Sequence, residues 1–290
     1  MSTDRLDAFL AQASALLMRV EALLPPTLRE PDWRAATAFR WRRRQGRGHL
    51  QPVLHASTIR LEDLCNVDRQ KQLIEANTRQ FVSGRPANNV LLTGARGTGK
   101  SSLIKACLNA HAEEGLRLIE VDKSDLVDLP DIVDLVATRP ERFIIFCDDL
   151  SFEEGESGYK ALKVALDGSV AAPSDNVLIY ATSNRRHLMP EHMRDNLGYK
   201  HLEDGEIHPG EVVEEKISLS ERFGLWVSFY PFKQDEYLDI VAQWLRHFGC
   251  DAAAIAAARD DALRWALERG SRSGRVAWQF ARDWAGKTAA

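Results

Sequence analysis

Asn89-Val90-Leu91-Leu92-Thr93-Gly94-Ala95-Arg96-Gly97-Thr98-Gly99-Lys100-Ser101-Ser102 is the stretch whose reading decides the fold. Its first five residues suit a short strand buried on both faces, and the residues from Ser101 to Glu113 follow helical spacing. Between the two, Gly94 to Ser101 match G-x-x-x-x-G-K-[ST] in full. Glycines let such a loop curl so that successive N–H groups converge on phosphate oxygens, and the positive end of the following helix faces the same point. Gly94, Ala95, Arg96, Gly97, Thr98 and Gly99, with Ser102 in the first helical turn, are therefore expected to cradle a nucleoside triphosphate, ATP with Mg²⁺. Lys100 brings a point charge to the β- and γ-phosphates, and the Ser101 hydroxyl is the expected protein ligand to the metal.

A loop of this kind needs a carboxylate from a second strand. Phe143-Ile144-Ile145-Phe146-Cys147-Asp148-Asp149 supplies one: an apolar run with two acids at its C-terminal end, where open α/β sheets bind their ligands. Asp148 is the expected metal-side carboxylate, and Asp149 the residue that polarises the attacking water.

Outward from these two strands the chain alternates short apolar runs and helical patterns. Helices are expected over Asp68–Phe81, Pro130–Thr138 and Tyr159–Gly168, and strands over Leu116–Val121, Asn176–Thr182 and Leu225–Phe229. After Pro231 the strand signal stops and three helical patterns follow, near residues 233–247, 252–269 and 275–285. The chain therefore divides into an extension over residues 1–57, an α/β nucleotide-binding domain over 58–230 and a helical lid over 231–290. Within the extension, Leu6, Phe9, Leu10, Ala13, Leu16, Leu17, Val20, Leu23 and Leu24 recur at helical spacing until Pro25-Pro26, a helix expected to pack on the body of the same chain. The basic aromatic stretch from Trp33 to Arg47 (Phe39, Arg40, Trp41, Arg42, Arg43, Arg44) reads as a linker or as a surface for an acidic partner. Nucleic acid is the less favoured alternative.

Composition narrows the class. In 290 residues the formal charge is −4, which argues against coating nucleic acid through overall charge and leaves local patches open. Cys65, Cys107, Cys147 and Cys250 are far apart and show no C-x-x-C spacing, so reduced thiols are expected rather than a zinc site or disulfides. No run reaches the roughly 20 apolar residues a membrane helix needs, and the N-terminus has no signal-peptide pattern, so a cytoplasmic protein without membrane contact is expected.

With the two motifs in hand, the chain resembles the AAA+ ATPases over roughly residues 58–284. That resemblance implies a parallel five-stranded sheet between helices with an α-helical lid. Ser183-Asn184, at the end of the strand from Val177, is similar to the sensor-1 position, which implies that Asn184 contacts the γ-phosphate or the water. Leu219-Ser220-Glu221-Arg222-Phe223-Gly224 resembles the segment that carries the arginine finger, so Arg222 is expected to complete a neighbouring subunit's site in a homo-oligomer. Ser273-Gly274-Arg275-Val276-Ala277 is similar to the sensor-2 segment, with Arg275 as candidate and Arg272 behind it. Leu61 to Asp68 resembles the segment that packs on the adenine. A narrower likeness, carried by Gln70-Lys71, Asn77-Thr78, Phe81, Pro86 to Val90 and the loop itself, is to a bacterial family of single-domain AAA+ ATPases catalogued as a domain of unknown function. Cys147 to Glu153 and Ala181 to Leu188 carry it too.

Departures from the pattern shape the expected function. Asp149 stands where hydrolysing AAA+ proteins carry glutamate, one methylene longer, which implies slow hydrolysis unless Glu153 or Glu154 substitutes. Lys123-Ser124-Asp125-Leu126-Val127-Asp128 has no aromatic residue of the threading kind, which disfavours a peptide-pulling unfoldase. The long segment 185–221 carries Asp204-Gly205 and Pro209-Gly210 turn signals and reads as a hairpin insertion that engages a partner; His187, His192, His201 and His208 within it match no metal spacing. The leading expectation is an ATPase that remodels or loads an unidentified protein partner. The alternatives are a nucleotide-dependent switch with little turnover and a nucleic-acid-associated loader.

Overall fold

A computed structural model describes residues 9–10, 12–16, 18–19, 31–44, 46–152, 156–167, 174–185, 200–201, 207–208 and 219–288. Glu153, Glu154, His187, His192, most of the 185–221 insertion, the side chains of His201 and His208, and both ends of the N-terminal helical pattern lie outside the described residues.

The centre of the fold is a seven-stranded sheet in the spatial order β2 (Arg47–Pro52), β1 (Ala38–Arg44), β4 (Leu116–Glu120), β5 (Arg142–Cys147), β6 (Val177–Ser183), β3 (Val90–Gly94) and β9 (Leu225–Phe229). All of these strands but β2 run parallel to one another: β1, β3, β4, β5, β6 and β9. The helices α1 (Asp68–Val82), α2 (Lys100–His111), α3 (Leu129–Val136) and α4 (Ser157–Asp167) connect and cover them. Side chains alternate across each strand, so one sheet feeds two cores. Leu92, Ile144, Phe146 and Tyr180 pack with α1, α2 and the C-terminal helices, while Leu91, Phe143, Ile145 and Ile179 pack with α3 and α4. Strands buried on both faces read as unbroken apolar runs, which is why their positions were visible in the sequence.

The expected five strands become seven because the basic aromatic stretch is not a linker. Residues Ala38–Arg44 form β1 and Arg47–Pro52 form β2, an antiparallel hairpin whose first strand pairs in parallel with β4. The sheet thus begins within the segment expected as an extension. Alternation explains the composition. Phe39 and Trp41 point into the core, where Trp33 packs on Phe39 and Phe143 at centroid distances of 4.7 and 5.0 Å. The arginines meet acids from β4 and the 3-10 segment after it. Arg40 donates to Glu120 at 2.7 Å, Arg42 to Asp122, and Arg43 to Asp128 at 2.7 Å. Asp128 is buried and also accepts Trp41 Nε1 at 2.9 Å.

The described residues between 9 and 19 are helical, with Phe9, Leu10 and Leu16 each more than half exposed; Leu6, Leu17, Val20, Leu23 and Leu24 of the same expected apolar face lie outside the described residues. In the insertion, β7 (Lys200–His201) and β8 (Ile207–His208) form a two-stranded antiparallel ladder. The C-terminal part comprises α5 (Gln234–His247), α6 (Ala252–Ala257), α7 (Arg259–Glu268) and α8 (Gly274–Thr288). The single helix expected over 252–269 is two, which meet at Ala258. Among the described residues no helix is long and apolar enough to cross a membrane.

Candidate functional site

Strand order places the site. β3 lies between β6 and β9, and β6 separates it from β5, so the C-terminal ends of β3, β6 and β5 stand side by side. The loop after β3, the acid pair after β5 and the polar end of β6 consequently meet at one point, the position where parallel sheets bind ligands.

Gly97 and Gly99 take left-handed backbone, φ +73° and +96°, which turns the loop back on itself before α2 begins at Lys100. The Thr98 hydroxyl donates to Ala95 O at 2.9 Å and braces the curl. Lys100 lies inside it: Nζ donates to Gly94 O at 2.8 Å, Ala95 O at 2.7 Å and Asn184 Oδ1 at 3.1 Å. Burial pushes the Lys100 ammonium below its ordinary pKa; Asp148 and Asp149 pull it back up, and Arg96 adds to the lowering.

Ser101 Oγ donates to Asp148 Oδ1 at 2.6 Å, joining α2 to the end of β5. Asp149 has φ +53°, a left-handed conformation in a residue that is not glycine. Its carboxylate accepts from Asn184 Nδ2 and lies 3.9 Å from an Arg96 nitrogen. Of the expected residues, those of the loop, Asp148, Asp149 and Asn184 are therefore brought together. One residue that sequence reasoning passed over joins them. Thr182 donates to Asp148 Oδ1 at 2.6 Å and accepts the Asp149 N–H at 2.9 Å. Its signal was the strand period: it lies two residues before Asn184 and so faces the same side of β6.

The helical part closes over the loop. Gly274 N–H donates to Gly97 O at 2.8 Å, and a Cβ built on Gly97 would lie 2.8 Å from Ser273 Cβ. Arg275, one residue further along α8, lines the cleft, whereas Arg272 is not among its lining residues. Arg222 is not brought to this cleft. Its Nε donates to both carboxylate oxygens of Asp167, at 2.6 and 2.7 Å.

The cleft has a volume of about 1170 Å³. Its polar end is the loop with Asp148, Asp149 and Asn184; its apolar end includes Leu64, Cys65, Phe232, Ile240, Trp244 and Trp278. Of the segment expected there, Leu61 to Asp68, the cleft is lined by Asp63, Leu64, Cys65 and Val67; Phe232, Ile240, Trp244 and Trp278 were not expected, since their approach depends on folding of the C-terminal helices. Ser101 Oγ and Thr182 Oγ1 both lie 2.6 Å from Asp148 Oδ1, and the Ser101 hydroxyl with the Asp148 carboxylate is an oxygen pair that suits a hard cation such as Mg²⁺.

The chain matches the family model described as "Protein of unknown function (DUF815)" over residues 34–288. No curated protein matches the sequence. Among solved structures it is similar to RuvB of Thermotoga maritima, the Holliday junction branch migration motor, with TM-score 0.49, 17% identity, and 77% of this chain and 63% of that chain covered. A point mutant of the same protein gives TM-score 0.51 at 16% identity, covering 77% of this chain and 64% of that one. The Trip13-containing HORMA:CdnC complex of E. coli gives 0.48 at 12% identity, with 77% and 90% covered. The chain thus spans less than two thirds of the length of RuvB. The likeness to RuvB is one of fold alone.

Proposed function

The chain belongs to the DUF815 family, and we propose that it binds ATP with Mg²⁺ in the cleft between sheet and lid and hydrolyses it slowly to ADP and phosphate. One observation carries the reading. Lys100, Ser101, Asp148 and Asn184 come from three separate segments and join through contacts of 2.6 and 3.1 Å at the mouth of a glycine loop. A structural turn would have no use for a buried ammonium that feels the charge of two strand-end acids.

In this reading the N–H groups of residues 95–101 hold the phosphates, and Lys100 turns from the loop carbonyls to the β- and γ-oxygens. Ser101 and Asp148 would hold Mg²⁺, which when bound would supply neutralising positive charge beside the phosphates. Asp149 accepts a proton from water as its oxygen attacks the γ-phosphorus and the bond to the β–γ bridging oxygen breaks, releasing ADP. Asn184 orients that water, and Arg275 brings the lid's charge to the phosphates. Arg222 serves the site of a neighbouring copy, where its guanidinium offsets charge on the transferred group. Nucleotide-dependent movement of the lid on the loop is then the output by which a protein partner is remodelled or loaded.

The second reading, a switch with little turnover, is favoured by Asp149 itself. Its side chain is short and already engaged by Asn184. A nucleic-acid loader is less favoured, because Arg40, Arg42 and Arg43 meet acids of their own chain. Steady-state phosphate release against protein concentration tests the first reading, with Lys100→Ala and Arg222→Ala as controls. Activity that rises with concentration and is lost in both variants is expected. ATP binding without release favours the switch, and Lys100→Ala that binds ATP as the parent does would overturn the nucleotide site.

A further inference from the structure

We propose that Thr182 is a positioning residue that sets both acids of the cleft through one hydroxyl. The inference rests on reading the cleft as a Mg²⁺–nucleotide site. Thr182 is 1% exposed, so its hydroxyl meets protein groups in place of water. It gives its proton to Asp148 Oδ1 at 2.6 Å and takes the N–H of Asp149 at 2.9 Å. The same strand end grips the next residue twice: Leu150 N–H donates to Thr182 O at 2.7 Å, and Ser183 Oγ donates to Leu150 O at 2.7 Å.

The two acids need this grip for different reasons. Asp148 Oδ1 accepts two hydroxyls, Ser101 and Thr182, each at 2.6 Å, which accounts for both of its lone pairs and fixes the carboxylate plane. Asp149 stands at φ +53°, a conformation that a residue with a side chain keeps only where its surroundings hold it. The hydrogen bond from its own N–H to Thr182 is such a hold. It also explains the residue type: aspartate and asparagine tolerate left-handed backbone better than longer side chains do, so the turn that β6 imposes selects against glutamate. The aspartate at 149 is thus a consequence of how β6 clamps the end of β5.

Residues that orient a metal ligand typically change metal affinity by about 10- to 100-fold when removed. The test is titration with a fluorescent ATP analogue, with Mg²⁺ and with EDTA, in the parent, Thr182→Val and Thr182→Ser. Thr182→Val keeps the shape and deletes the hydroxyl, and should lower the ratio of Mg²⁺-present to Mg²⁺-free affinity by about tenfold or more. Thr182→Ser keeps the hydroxyl and should restore most of that ratio, a rescue that a packing role would not give. If Thr182→Val does not fold, Thr182→Ala carries the same comparison. A hydroxyl-less variant with the parent's ratio, or a serine variant as impaired as the valine one, overturns the proposal while leaving the nucleotide site standing. A parent whose affinity ignores Mg²⁺ overturns the reading of the cleft, and this inference with it.

Discussion

Replacing Gly97 by alanine strikes where the N-terminal turn of α8 rests on the glycine loop. At φ +73° the added Cβ is strained before it meets anything, and left-handed backbone costs a residue with a side chain about 1–2 kcal/mol. It would then lie 2.8 Å from both Ser273 Cβ and Ser273 Oγ, and 3.5 Å from Arg275 Cβ. Carbon atoms in contact prefer about 3.5–4.0 Å, so loop and helix must part by roughly 1 Å. Parting weakens the Gly274 N–H to Gly97 O bond, 2.8 Å in length, which contributes about 1 kcal/mol. Forced packing of this kind costs about 1–3 kcal/mol by itself. Denaturant unfolding of Gly97→Ala should therefore show a loss of about 2–5 kcal/mol if lid and sheet unfold together.

The steric part can be separated by a double-mutant cycle with Ser273→Gly. That change removes the opposing carbon and, as a helix cap to Val276 N–H, costs only a few tenths of a kcal/mol. The pair should recover about 1–3 kcal/mol of the loss and leave the backbone part in place. Nucleotide titration should follow stability, with affinity lost in the single variant and partly regained in the double. Strict additivity, or a Gly97→Ala protein with the parent's stability and affinity, would refute the argument that the lid seats on the loop through this glycine.

Other expectations follow from single residues. Asp149→Glu introduces the acid usual in hydrolysing AAA+ proteins, yet at φ +53° it should destabilise by about 1 kcal/mol in urea unfolding; a gain in stability would contradict the left-handed assignment. Asp128→Ala strands Trp41 Nε1 and half-exposed Arg43, and should cost about 2–3 kcal/mol, part of which Asp128→Asn restores by keeping an acceptor. A loss below 0.5 kcal/mol, roughly that of a surface change, would sink the structural role given to the basic hairpin. Burial lowers the pKa of Lys100 from 10.5, and only its ammonium form pairs with phosphate. ATP affinity should be full below the lowered value and decline as pH rises through it, earlier than free lysine would titrate; Lys100→Arg should show no such decline in isothermal titration.

How much of this was legible follows from where each signal sits along the chain. The glycine loop and the acids at Asp148-Asp149 are local patterns bound to a strand end, so their chemistry and position could be read together. Asn184 and Arg275 came from resemblance, and the fold brings both to the cleft. The hairpin was missed because its logic is not local. Arg40 and Arg42 look solvated until their partners Glu120 and Asp122, each 80 residues away, are beside them. Trp41 likewise resembles a stacking residue until Asp128 accepts its N–H. The lid's Trp244 and Trp278 sit on ordinary amphipathic helices, and only tertiary packing turns them toward the cleft.

The hairpin also decides where the sheet ends. A chain begun at residue 58 would leave β4 as the border, with Leu118 and Ile119 on a strand whose outer N–H and C=O groups have lost β1. An apolar border of that kind invites strands from other molecules and grows into aggregates. With the hairpin in place the border among the described residues is instead β2, which carries Arg47 and His49 and closes with Pro52, a residue with no N–H to offer. The arginine-rich segment thus acts as a selvedge, finishing the sheet with a strand less suited than β4 to recruit its neighbours.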